Sequence, residues 1–197
     1  MGWMKRHMRA AFALMAVGVC ASSMASPGLA AGPGNDPPSF QGRQSPFTIL
    51  KPTELAPAAP IYTLGGGFTT LKRFTGKVIL LNIWATWCPV CLYEMPSLGK
   101  LQAEMGGTRF SVVTLSLDEG GARDVSSYLG RLGLQNLPAY LDPAGRILLA
   151  FQVGKALPLS LIIDHRGQVM GYIKGAADWT SPEARALIDY YLRHISP

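Results

Sequence analysis

Apolar and polar positions along this chain fall into short blocks, each with its own period. Residues 78–84 (VILLNIW) are an apolar run of strand length, the pattern of a buried central strand. Residues 89–105 follow with Leu98, Leu101 and Met105 at helical spacing and predict a helix. Residues 110–117 (FSVVTLSL) read as a second buried strand, 122–132 as a helix, 138–141 as a short strand and 146–153 as a short helix. Next come LSLIID at 159–164, a turn at His165-Arg166-Gly167 and residues 168–174, which together predict a hairpin. A last helix starts near Ser181, with Pro182 in its first turn and Glu183 behind it. Upstream, a short strand is expected at 61–64, and Pro52, Pro57 and Pro60 keep the preceding segment extended. Strand–helix alternation ending in a hairpin and a helix predicts an α/β architecture: a central mixed sheet flanked by helices.

The chain has 197 residues and is 48% hydrophobic, enough for one compact domain plus a tail. Its formal charge is +6, but half of that comes from Lys5, Arg6 and Arg9, and no run of like charges follows. A phosphate-binding stripe, and with it a nucleic-acid partner, is therefore not expected. The basic start precedes an uncharged stretch from Ala10 to Asn35, whose strongly apolar part ends near Cys20. That part is short for a membrane span, which needs ~20 residues. With Pro27, Gly28 and the small residues Ala25, Ala30 and Ala31, residues 1–31 read as a secretory signal peptide, or else as a retained anchor that would tether the protein. Either way the globular part works outside the cytoplasm, in the periplasm. Residues 32–54, rich in Pro, Gly and polar side chains, read as a flexible linker, and residues 55–197 as the domain.

If the leader is removed, two cysteines remain, in WATWCPVC at 84–91. A bridge across two intervening residues closes almost no loop and removes little entropy from the unfolded chain, so stability is a poor reason for the pair. Zinc needs four ligands, and beyond the leader the only histidines are His165 and His194; no metal or other cofactor is expected. The same two histidines are the sole candidates for a cysteine-protease partner, and both are expected on the surface. A Cys at a strand end, followed by Pro and a helix start, has its sulfur beside unpaired N–H groups that favour thiolate over thiol. Cys88 is therefore the expected nucleophile. Cys91, on the same face of the first turn, is placed to resolve a mixed disulfide.

The stretch VILLNIWATWCPVCLYEMPSL resembles the active-site region of the TlpA-like thiol:disulfide oxidoreductases, which share the thioredoxin fold. The resemblance runs from about residue 55 to 195 and includes LPLSLIID-HRGQV and GAADWTSPEA. It implies an exported protein that reduces disulfides in client proteins bearing cysteine pairs. Its electrons would come from a membrane donor, and its clients from cytochrome oxidase or cytochrome c assembly. Pro158 matches the family's cis-proline, and Leu157 before it would touch the substrate; Leu159-Ser160 stand where the family more often has Thr-Thr. Trp87 would form part of an exposed apolar rim, so that Trp87, Pro89, Leu157 and Pro158 are the expected substrate contacts. Glu94 lies where relatives carry an acid thought to assist proton transfer, and Asn82 stands where thioredoxins proper have Asp. Asn cannot exchange a proton at working pH, which leaves Glu94 as the candidate carboxyl for Cys91. Trp84 and Trp179 are expected to pack, and Pro96 to kink the active-site helix. Residues 120–151 resemble the family's helix-and-strand insertion, and the protein is expected to be a monomer. Two alternatives stand beside the reductase: an oxidase that donates its disulfide, and a Cu(I) chaperone using the two soft thiolates.

Overall fold

A computed structural model describes residues 36–194. The signal peptide or anchor expected at 1–31, and the first part of the expected linker, lie outside the described residues. Eight strands and four α-helices follow in the order β1 (Thr48–Leu55), β2 (Ile61–Thr63), β3 (Phe68–Thr69), a 3-10 turn (Leu71–Phe74), β4 (Val78–Trp84), α1 (Pro89–Met105), β5 (Phe110–Ser116), α2 (Gly121–Arg131), β6 (Ala139–Leu141), α3 (Arg146–Ala150), β7 (Leu159–Ile163), β8 (Gln168–Lys174) and α4 (Pro182–Arg193). All eight strands join one sheet in the order β1-β8-β7-β4-β5-β6-β2-β3. β4 pairs parallel with β5 and antiparallel with β7, so the sheet is mixed and β4 lies in its middle.

Being central, β4 is covered on both faces, which is why its sequence is a continuous apolar run. Val78, Leu80 and Trp84 join the core on one face with Leu98 and Leu101 of α1, Val125 and Leu129 of α2, and Leu187 and Ile188 of α4. Ile79, Leu81 and Ile83 join the core on the other face with Leu71 and with Ile147 and Leu148 of α3. Each such side chain contributes about 1.5–3 kcal/mol by leaving water. Asn82, fully buried in the same strand, is the exception to this apolar lining. Helix α4 begins as its sequence predicts: Ser181 accepts the Ala184 N–H at 3.2 Å and Pro182 takes the first helical position. Helix α3 stops at Ala150, short of the expected 153, where Gln152 adopts a positive φ of 53°.

The linker expected through residue 54 requires correction. Phe40 is buried, with its ring 5.2 Å from that of Trp179, and Arg43 N–H donates to the Ala176 carbonyl at 2.8 Å. The Ser45 hydroxyl donates to the Lys174 carbonyl at 2.9 Å and accepts the Lys174 N–H at 3.0 Å. Strand β1 then runs antiparallel along β8 as an edge of the sheet. Gly171 makes that approach possible: a Cβ there would meet the Thr48 carbonyl oxygen at 2.5 Å. An edge strand with mostly exposed residues and an internal proline carries no alternating apolar signal, and its pairing is driven by the free backbone groups of β8.

Candidate active site

Strand β4 ends at Trp84 and delivers the chain through Ala85, Thr86 and Trp87 to Cys88, the N-cap of α1. Pro89 occupies the first helical position, where its missing N–H costs nothing. The Cys88 sulfur accepts the Cys91 N–H at 3.2 Å, a donor it shares with the Cys88 carbonyl at 3.0 Å, so it lies at the positive end of the helix. Cys88 and Cys91 are joined in a disulfide, with Cα atoms 5.3 Å apart. Cys88 is 7% exposed and Cys91 fully buried, an asymmetry that makes Cys88 the more accessible of the two.

The approach to Cys88 is held from below by a carboxylate that sequence reasoning did not single out. Asp118, just past the end of β5 and buried, accepts the Thr86 N–H at 2.9 Å, the Thr86 hydroxyl at 2.5 Å and the Ser116 hydroxyl at 2.5 Å. Thr86 stands two residues before the nucleophile, so this clamp fixes where the helix mouth lies relative to the sheet. Asp118→Ala leaves three donors unsatisfied and is expected to cost about 2–3 kcal/mol in urea unfolding. It should also slow iodoacetamide alkylation of reduced Cys88 at pH 7. An unchanged urea midpoint would show that the clamp carries no net weight.

Large exposed side chains flank the cysteines along the chain. Trp87 is 64% exposed and Tyr93 72%, with Pro89 and Val90 exposed between them. The Leu157–Pro158 peptide bond is cis, and so is Lys51–Pro52, which the sequence did not lead one to expect. Because Ile83 pairs with Leu159 in antiparallel register, the residues before Leu159 run alongside Trp84 and Ala85, at the cysteine end of the sheet. Leu157 packs on the same core cluster as Cys88 and Cys91. The Pro158 carbonyl is already occupied by the Gly175 N–H at 2.8 Å.

Glu94, three residues beyond Cys91 and on the same helix face, points into the core and is 1% exposed. Its Oε1 accepts the Asn82 amide at 2.6 Å; its Oε2 accepts the Ala177 N–H at 3.0 Å and the Trp179 indole N–H at 3.1 Å. Burial pushes its carboxyl up to about 7, against the opposing pull of these three hydrogen bonds. Asn82 also donates to the Ser160 hydroxyl at 2.8 Å, while its Oδ1 has no partner among the described residues. Trp179, expected only to pack, is thus a polar partner of the candidate acid. Ser160 belongs to the same buried group.

His165 lies in the β7–β8 turn, at the end of β7 away from Leu157–Pro158, and His194 lies exposed past α4. Neither joins the cysteines. Among the described residues no three His, Cys, Asp or Glu side chains gather as a metal site would require.

Known proteins resemble this chain in sequence and in fold. Residues 47–188 match the Redoxin family. The chain is 31% identical over 157 residues to the thiol-disulfide oxidoreductase ResA of Bacillus thuringiensis subsp. konkukian, covering 78% of this chain and 86% of that protein. Among solved structures it is similar to a Chlorobium tepidum protein provisionally named thiol:disulfide interchange protein DsbE, with a TM-score of 0.63 and 26% identity over 71% of this chain and 96% of that one. It is also similar to a thiol:disulfide interchange protein of the thioredoxin family from Chlorobium tepidum TLS, with a TM-score of 0.59 and 25% identity over 71% and 97%. The shared architecture is the thioredoxin-like fold.

Proposed function

The chain belongs to the Redoxin family, and from that premise we propose that it is an extracytoplasmic thiol:disulfide oxidoreductase that reduces disulfides in client proteins. The oxidoreductase activity follows from its relatives together with the CxxC pair. One observation carries the reading. Cys88, slightly exposed, caps the first turn of a helix, its partner is buried three residues on, and exposed apolar residues, Trp87 and Val90, flank Cys88 in the chain. Ionised Cys88 attacks one sulfur of a client disulfide, and the client's second sulfur leaves as thiolate, producing a mixed disulfide. Cys91 gives its proton to the buried carboxylate of Glu94 and attacks the Cys88 sulfur. The client's first sulfur leaves, and Cys88–Cys91 closes as a disulfide. Two electrons have moved to the client, and a membrane dithiol donor restores them.

The exported location rests on the leader read in residues 1–31. Among the described residues no helix is long and apolar enough to cross a membrane. A single copy carries every group the reaction needs, which supports action as a monomer. The clients we assign are cysteine-pair proteins of cytochrome oxidase and cytochrome c assembly, the class the TlpA-like resemblance implies. Equilibration in dithiol buffers tests the direction. A reductase requires a potential at or below the glutathione range, about −240 mV, and fast transfer of electrons to oxidised clients. A potential well above that range, with fast oxidation of reduced clients, would make the protein a disulfide donor instead.

The rim gives a separate expectation. Trp87→Ala removes an exposed ring, so stability should change by less than about 0.5 kcal/mol. An aromatic anchor at a docking surface can account for ~2 kcal/mol of binding. The KM for protein clients should therefore rise about tenfold or more, while a small disulfide is reduced at an unchanged rate. Equal effects on both substrates would place Trp87 outside the docking surface.

A further inference from the structure

At the end of the sheet away from the cysteines, a cavity of about 330 Å³ opens between the 3-10 turn and the β7–β8 turn. Its floor is apolar: Leu71, Ile79 and Ile163 line it and are each at most 4% exposed. Leu55 also lines the cavity and is 69% exposed, an apolar wall with one side unoccupied. Three cations belong to the same lining, Lys72, Lys77 and Arg166, against one acid, Asp164. Oδ1 of Asp164 is committed to the backbone, accepting the N–H groups of Arg166 at 2.9 Å and Gln168 at 2.8 Å. Lys77 donates to the Gly107 carbonyl at 2.7 Å. Among the described residues neither the Lys72 nor the Arg166 side chain has an ion-pair partner.

An apolar floor with unpaired cations at its edge is complementary to a molecule that is alkyl at one end and anionic at the other. The volume is at the lower end of the ~300–1,000 Å³ typical of small-molecule pockets, which suits one short chain rather than a two-chain lipid. We propose that this cavity binds a free single-chain alkyl carboxylate of the fatty-acid class. The chain lies over Leu71, Ile79 and Ile163, and the carboxylate meets Lys72 and Arg166. The site is separate from the redox centre: Ile79 and Ile163 face each other across the β4–β7 pairing, at the opposite end from Leu159.

The test is a titration of the full-length protein with decanoate below its micelle concentration, followed by methyl NMR. Saturable shifts are expected at Leu71, Ile79 and Ile163. Affinity should tighten about fourfold per methylene from hexanoate to decanoate, the increment for burying one such group. Decanol should bind at least about tenfold more weakly, and so should decanoate to a Lys72→Glu, Arg166→Glu variant whose circular dichroism and disulfide-exchange rate are unchanged. The proposal is overturned by an absence of shifts at those methyls in millimolar decanoate, or by equal binding of decanol. Sedimentation with phosphatidylglycerol vesicles in the absence of decanoate shifts would likewise overturn it, in favour of a membrane-surface contact.

Discussion

Cys91→Ser is expected to stop turnover and to leave Cys88 covalently joined to its clients. In the native protein the attack of Cys91 on the mixed disulfide is intramolecular, from a residue one helical turn away that is fully buried and cannot diffuse off. Well-oriented groups of this kind act at effective concentrations of ~10⁵ M or more, which no thiol in solution can match. Client reduction by the variant should fall at least about a thousandfold. Mixed disulfides on Cys88 should persist through non-reducing electrophoresis and disappear on adding dithiothreitol. Cys88→Ser is expected to abolish both turnover and trapping. If Cys91→Ser accumulates no adduct while the wild-type thiols still cycle, the protein does not act on clients through Cys88.

The second large effect concerns Glu94. In the oxidised protein its carboxyl is pushed up to about 7 from the ordinary 4.5, with burial as the main cause. That difference corresponds to about 3 kcal/mol. The folded-state value is the higher one, so the stabilisation is fully present below pH ~4.5 and is lost as pH rises through about 7. Glu94→Gln removes the ionisation and should flatten this part of the stability profile, making the variant more stable than wild type above pH 7. The hydrogen bonds to Asn82 can be remade by a flip of its amide, which carries Nδ2 to the side where Oδ1 has no partner. A Gln amide nitrogen facing Asn82 needs an acceptor, and turning the Asn82 amide over presents its unpartnered Oδ1. The Ser160 hydroxyl, which accepts from Asn82, can donate instead. Resolution by Cys91 should slow about a hundredfold at neutral pH and lose its inflection near pH 7, because the variant cannot take the proton. A wild-type stability profile in Glu94→Gln would show that Glu94 does not titrate as its surroundings require.

Much of this molecule is legible in its sequence, for physical reasons that differ from element to element. Strand β4 can be read because a strand covered on both faces must be apolar throughout, and α1 because Pro89 and the spacing of Leu98 and Leu101 mark its start and its buried side. The cysteine pair can be read because its chemistry is local: strand end, proline and helix mouth occupy consecutive residues. Strand β1 cannot be read, since it buries little and is held by backbone pairing to residues more than a hundred positions later. Trp179 and Ala177 are silent as partners of Glu94 because they lie more than eighty residues from it along the chain. The Asp118 clamp on Thr86 spans 32 residues and shows no periodicity at all. Buried polar contacts of this kind depend on which loops the fold brings together, and no local pattern records that.

The central physical claim is that reduced Cys88 is held as thiolate by the donors at the start of α1, and it can be measured directly. The rate of iodoacetamide alkylation of the reduced protein is followed against pH, with the modified cysteine identified by mass. Cys88 should react first, with a half-maximal rate at least one pH unit below the ~8.5 of a free thiol. A midpoint at or above 8.5, or modification of Cys91 ahead of Cys88, would contradict the account.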